Sequence, residues 1–333
     1  MSPANSTVLV MDNNNWVWYE DSDFVFFGIY FVQGLLMLFG NAPICMAVFA
    51  HKALRGDKIY LVIAFLALAD ALNGFCYLKA GEFRMRVTIG GEAAERVSSW
   101  FCMMTGHNFF WVFTEYAASV MLMVVSIDRF ICVVFPFVYL SLTNTYAYSL
   151  CGIPIAFAFA LNCYAYYTSW VVTAQGRTTV KACYLGGAVG PDVRYFYTYS
   201  RVAFGVGSVV VYAVLMVISV RRARNFIVQQ EAADTEQIER QDRFTKSLGI
   251  SCLFTLAMNV IPLLILEGLI MIDAYDILTV SEFNLTSFGW ALINVNPLMN
   301  LFIYLKRHEE MKVGIKALFT CKTLPSDTRL WRT

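Results

Sequence analysis

The stretch SVMLMVVSIDRFICVVFP, residues 119–136, decides the fold. An apolar run of membrane length flows into Asp128-Arg129-Phe130 and stays apolar beyond it, with Pro136 and Tyr139 seven and ten residues after the arginine. Charges lodged in such a run are expensive in hydrocarbon, so each marks a candidate functional site. Other apolar runs carry the same signature. Asn41 follows Gly40, Asp70 ends Leu66-Ala67-Leu68-Ala69-Asp70, and Asn296-Pro297 interrupts the last run. Together they predict a helical bundle that changes state and reports to the cytoplasm.

Composition agrees. The 333 residues are 58% hydrophobic and 15% charged, with a mean hydropathy of +0.57; soluble domains average about 45–50% and about 25%. The excess lies in seven runs of about 20 or more residues, at roughly 24–50, 58–81, 101–134, 146–172, 195–220, 246–272 and 284–305, each long enough to span a bilayer. The predicted class is all-α, a seven-transmembrane helix bundle with a short amphipathic surface helix after helix seven. The divisions are an extracellular segment 1–23, a membrane domain 24–305, a surface helix 306–322 and a cytoplasmic tail 323–333. A soluble helical protein would need far more surface charge. No zinc-type Cys/His spacing, Gly-rich phosphate loop or nucleophile elbow supports an enzyme. A transporter or channel would want inverted repeats or a charge-lined path, and neither is visible.

Lys and Arg set the orientation. His51, Lys52, Arg55 and Lys58 fill the first interhelical loop, Arg221, Arg222 and Arg224 open the fifth, and Lys306, Arg307, Lys312, Lys316 and Lys322 follow the last helix, while residues 1–23 hold neither Lys nor Arg. The N-terminus is predicted outside, in the plasma membrane. Arg84, Arg86 and Arg96 then also fall outside, offset by Glu82, Glu92 and Glu95. No signal peptide is visible in residues 1–23, so the first helix would serve for insertion. Asn5-Ser6-Thr7 is a glycosylation acceptor on the outer side; Asn284-Leu285-Thr286 matches too but begins helix seven. Met311, Ile315, Leu318 and Phe319 share one face of the segment after helix seven, and Cys321 at its end is a candidate for palmitoylation.

Most of the nine cysteines fall in apolar runs, where a thiol is a small hydrophobe. Cys102, at the outer end of helix three, and Cys183, in the second outer loop, are placed where an oxidising compartment would let them pair and pin the loop; two free thiols are the alternative. Asp70 must face water, bind a cation or be protonated. It would either hydrogen-bond with Asn41 and Asn296 or form a polar core that holds sodium. Arg129 would be a snorkelling interface residue, or a gate held by Asp128 and released to a partner. Glu115, below His107, Asn108 and Trp111 on one side of helix three, and Glu267, five residues after Pro262, could anchor a cationic ligand; the alternatives are a protonated structural residue and a surface one.

These motifs, in this order, resemble a rhodopsin-like G-protein-coupled receptor, and the Ile-Asp-Arg-Phe segment with short loops is most similar to nematode serpentine chemoreceptors of the srsx type. The resemblance covers about residues 24–322. It implies a receptor that detects an extracellular small molecule, as at a sensory cilium, and activates a heterotrimeric G protein, with no enzymatic activity; a neuropeptide or neurotransmitter receptor is the alternative. Lipid is the implied surrounding, with no nucleic-acid partner and no cofactor beyond sodium at Asp70. Trp111, Glu115, His107, Asn108 and Glu267 would line the ligand pocket. Asp128, Arg129, Phe130, Pro136, Tyr139, Pro262, Asn296, Pro297 and Tyr304 would form the switch and coupling surface. The chain departs from the family's pattern at Asn300, where a tyrosine is usual, with Tyr304 one turn later. It also has Val260 in place of a tryptophan and Leu256 in place of a phenylalanine in helix six. The aspartate of amine receptors would fall near Trp111, which argues against a conventional monoamine site.

Overall fold

The computed structural model describes residues 8–12, 15–19, 21–229, 254–271, 282–307 and 309–320. Five helices in it are long and apolar enough to cross a membrane, within α1 (Asp21–Ala50), α2 (Lys58–Ile89), α3 (Asn108–Val134), α4 (Asn144–Ala174) and α5 (Pro191–Gln229). Four shorter helices follow: α6 (Ile261–Met271), α7 (Glu282–Ile293), α8 (Val295–Arg307) and α9 (Glu309–Phe319). The expected sixth span begins outside the described residues. The architecture is an all-α bundle, trimmed by two small antiparallel ladders, Val8–Asp12 with Asn15–Tyr19 and Arg96–Ser98 with Thr178–Val180.

Local chemistry sets the ends. Asp57 caps α2 by accepting from the Ile59 backbone N–H at 2.9 Å. The helix does not stop near Gly81 as its hydropathy suggests. It runs to Ile89, because only at Gly90-Gly91 does the chain turn, Gly91 adopting a φ of +70°. Arg84 is thereby inside a helix rather than in a loop. The third span is likewise corrected at its start: Cys102 sits on a separate short helix, Ser99–Met103, and α3 begins only at Asn108. Thr105 Oγ1 and Asn108 Nδ2 donate to the Cys102 carbonyl at 2.6 and 3.0 Å and stabilise the intervening turn. The last span is broken at Asn294 into α7 and α8. Pro297 lacks an N–H and its ring clashes with the carbonyl four residues earlier, at Ile293, where α7 ends. Pro262 acts similarly: a π-helical turn, Leu256–Val260, relieves the strand of hydrogen bonds just before it.

Helix α3 is the axis of the bundle and packs on α2, α4 and α5. Helices α1 and α2 pack backbone to backbone, where a Cβ added to Gly34 would collide with the Leu78 nitrogen and one added to Gly74 would lie 2.7 Å from the Leu38 nitrogen. The core runs through Ile44, Leu61, Leu66, Val112, Met121, Cys151 and Ala158. Leu36, Phe39 and Met46 on α1 and Ile153, Phe157 and Tyr167 on α4 point outward and are exposed. An apolar exterior around a polar-centred interior suits lipid as the surrounding solvent. At about 1.5 Å per residue, α5 is roughly 58 Å long, well over a bilayer's thickness. Helix α9 packs on α1 through Met311, Gly314 and Ala317, which are buried, and His51 Nε2 meets the Gly314 carbonyl at 3.2 Å.

Candidate functional site

One end of the bundle is closed by a lid. Cys102 and Cys183 form a disulfide with their Cα atoms 5.0 Å apart, drawing the 178–188 segment over the ends of α2 and α3. Three side chains converge on the Cys183 carbonyl: His107 Nε2 at 3.1 Å, Asn108 Nδ2 at 3.1 Å and Arg84 Nη2 at 3.5 Å. Arg84 Nε also donates to the Ala182 carbonyl at 3.2 Å. Burial, and then the charge of Arg84, push the His107 imidazole down to about 3; the Cys183 carbonyl acts in the opposite direction. His107 is therefore neutral at physiological pH and donates from Nε2. Both His107 and Asn108, expected to line a pocket, are fully buried and hold the lid.

Below the lid lies a second polar cluster. Glu115 accepts from Trp111 Nε1 at 3.0 Å and Tyr77 OH at 2.8 Å on one oxygen, and from Tyr197 OH at 3.0 Å on the other. That second oxygen also pairs with Arg201 Nη1 at 2.6 Å. Arg201 lies on α5, donates to Tyr197 OH at 2.7 Å and packs against the Trp290 ring at 4.8 Å. Glu115 and Arg201 are 3% and 4% exposed, so this pair ties α3 to α5 deep in the bundle. The carboxylate expected to await a cation already has one. Glu267 falls on α6, with its side chain outside the described residues.

Asp70 and Asn296 face one cavity of about 30 Å³, together with Asn73, Ser119, Asn294 and Arg201. That is room for about two water molecules. Its carboxylate, amide and hydroxyl oxygens suit a hard cation, so the donor set fits sodium and Asp70 would hold it. Among the described residues no group of three or more His, Cys, Asp and Glu forms a metal site. Asn41 is buried but bonds its own helix at the Met37 carbonyl, 3.0 Å away, and is not on the cavity wall. Asn296 accepts from Thr255 Oγ1 at 3.1 Å, a link from the last helices to the turn before Pro262.

At the opposite end, Arg129 Nη2 pairs with Asp128 Oδ2, and both side chains are buried. Phe130 is half-buried beside them. Pro136 opens a short helix, Pro136–Ser141, whose Tyr139 is buried while Phe137 and Leu140 are exposed. Lys58 holds that helix to α2 by donating to the Tyr139 and Leu142 carbonyls, and its ammonium lies 4.5 Å from the Tyr139 ring centroid. Burial, ahead of all charges, raises the Tyr139 phenol. Ser126 Oγ meets Ser208 Oγ at 2.7 Å, joining α3 to α5 on this side as well. Tyr304 lies on α8, its side chain outside the described residues, as are Asn5 and Cys321.

Sequence reasoning missed Arg201, Tyr197, Tyr77, Lys58 and the burial of Arg84. Arg201 could have been found by the rule that exposed Asp70 and Glu115, since it too is a charge inside an apolar run. Tyr197 stands one turn before it on the same face.

Apolar helices around buried ion pairs define a multi-pass membrane protein with a polar interior. The chain matches the family of serpentine-type 7TM GPCR chemoreceptors, Srsx, over residues 35–319, and it belongs to that family. It is a chemosensory G-protein-coupled receptor and not an enzyme. No curated protein matches the chain.

Proposed function

We propose that the chain crosses the plasma membrane seven times with its N-terminus outside, detects an extracellular small molecule at the lid end, and activates a heterotrimeric G protein at the Arg129 end. The observation that carries this is the buried Asp128–Arg129 pair closing α3 in a member of a chemoreceptor family. Such a buried charge is held in reserve for a partner that supplies a better acceptor. A ligand shifts the balance between held and released states only by preferring one of them. Trp111 and Glu115, between lid and cavity, are its nearest route into the bundle. Asp70, Asn296 and the Thr255 contact form the polar relay toward the inner end, and Pro262 and Pro297 supply the points at which the late helices bend. Helix α9 lies along the inner membrane surface.

The test is G-protein activation in cells presented with odorant, amine and peptide panels, with Arg129→Ala alongside. We expect at least one small-molecule response in the wild type, and its loss in Arg129→Ala at matched surface expression. A ligand response that persists unchanged in Arg129→Ala would sink the assignment of the switch.

A further inference from the structure

The charges at the lid end are unevenly partnered. Arg201 has the Glu115 carboxylate at 2.6 Å and shares a cavity wall with Asp70. Arg84, against the Trp111 ring, is 4% exposed and has no carboxylate within ion-pair distance among the described residues. Its guanidinium carbon lies 4.4 Å from the Tyr184 ring centroid and 5.3 Å from that of Trp111, so aromatic faces flank it. Its hydrogen bonds go to two neutral carbonyls, the 3.5 Å one being long. Nη1 makes no hydrogen bond among the described residues and, unlike the rest of the side chain, is not sealed from solvent. A guanidinium stays charged in proteins, and burying a charge is costly unless an anion offsets it. Stapling the lid needs no charge, because a neutral amide donor would satisfy the same carbonyls.

The nearby titratable groups supply no anion. His107 is neutral, and Glu82, two residues away on α2, pairs with Lys79 toward the surface. If Arg84 turns away, the Cys183 carbonyl keeps its His107 and Asn108 bonds, which fill both lone pairs, and only the Ala182 carbonyl gives up a donor. A carboxylate that takes the parallel N–H groups of the Arg84 fork replaces one bond to a neutral carbonyl, at Ala182, and one long one, at Cys183.

We propose that Arg84 is the counter-ion for a carboxylate on the receptor's ligand, with Trp111 and Tyr184 as aromatic walls for the adjoining apolar part. The inference rests on the receptor reading above and reverses the sequence-based expectation of a cationic ligand at Glu115.

The experiment measures the unfolding temperature of the purified full-length receptor at neutral pH against straight-chain carboxylates from butyrate to decanoate and phenylacetate. Each acid is compared with its primary amide. We expect a saturable rise with at least one acid and none with its amide. In Arg84→Gln, which keeps an amide donor for the lid, that acid should bind at least about tenfold more weakly; Arg84→Lys should retain part of the preference. A poorly folding variant leaves the acid-against-amide comparison on wild type decisive. Equal shifts with acid and amide, no shift with any acid, or full acid binding by Arg84→Gln overturns the proposal. The measurement needs no G protein. Acid binding without coupling would count against the coupling reading alone, and coupling driven by neutral compounds would count against this one alone.

Discussion

The two ends of α3 each bury an ion pair, but the pairs do different mechanical jobs. Glu115–Arg201 joins two helices and is wrapped by Tyr77, Trp111 and Tyr197, so neither partner can leave without moving α5 or orphaning several donors. Asp128–Arg129 joins neighbours on one helix, so the arginine can be released while the backbone stays in place. An interhelical pair fixes geometry, whereas a same-helix pair stores a charge. Between them lie the cavity at Asp70 and the Thr255–Asn296 link, the route that the proposed mechanism uses for transmission.

The largest expected effect breaks the first pair. Glu115→Ala leaves Arg201 buried beside hydroxyls that have lost their acceptor, and should cost about 3–5 kcal/mol, read as a collapse in unfolding temperature and surface yield. Adding Arg201→Met should recover most of the loss; if it recovers none, the pair is not what the cluster depends on. Next comes the lid. His107 is held near 3 when folded and has an ordinary pKa of about 6.5 unfolded, so the unfolded chain binds a proton that the native one refuses. Stability should fall as pH drops below about 6.5 and keep falling toward 3. His107→Gln should flatten that part of the profile, and an identical slope in both proteins would refute it.

Asp128→Asn tests the second pair. We expect a smaller loss of stability than in Glu115→Ala, together with raised ligand-independent G-protein activation; a silent variant with normal ligand response would contradict the stored-charge reading. The smallest effect is Ser208→Ala, which removes a hydroxyl that bonds Ser126 Oγ and, at 3.4 Å, the Leu122 carbonyl of α3, and should cost about 1 kcal/mol. A much larger cost would mean that the Arg129 end is braced as rigidly as the lid end.

Much of this was legible in the chain. Hydropathy located the first five membrane-length helices but missed the ends of the second, third and fifth by about seven to nine residues, because a bilayer demands continuous apolar length while turns and caps set where a helix stops. The cost of charge in hydrocarbon flagged Asp70, Glu115, Asp128 and Arg129 before any contact was known. The positions of Cys102 and Cys183 anticipated their bond. The misses have local reasons: apolar length fades at Gly81, but that glycine packs closely against α1 rather than turning the chain, so Arg84 is helical and not a loop charge.

Which segments are membrane helices and which charges must be accounted for could be read from the chain alone, since both follow from the solvent that surrounds it. Which of those charges meet is set by packing. Glu115 and Arg201 are separated by most of α3, all of α4 and the lid, and no periodicity ties residues on different helices. Whether a buried carboxylate awaits a ligand or is already paired, and whether a buried guanidinium still lacks an anion, depends on distances of a few ångströms that only packing sets.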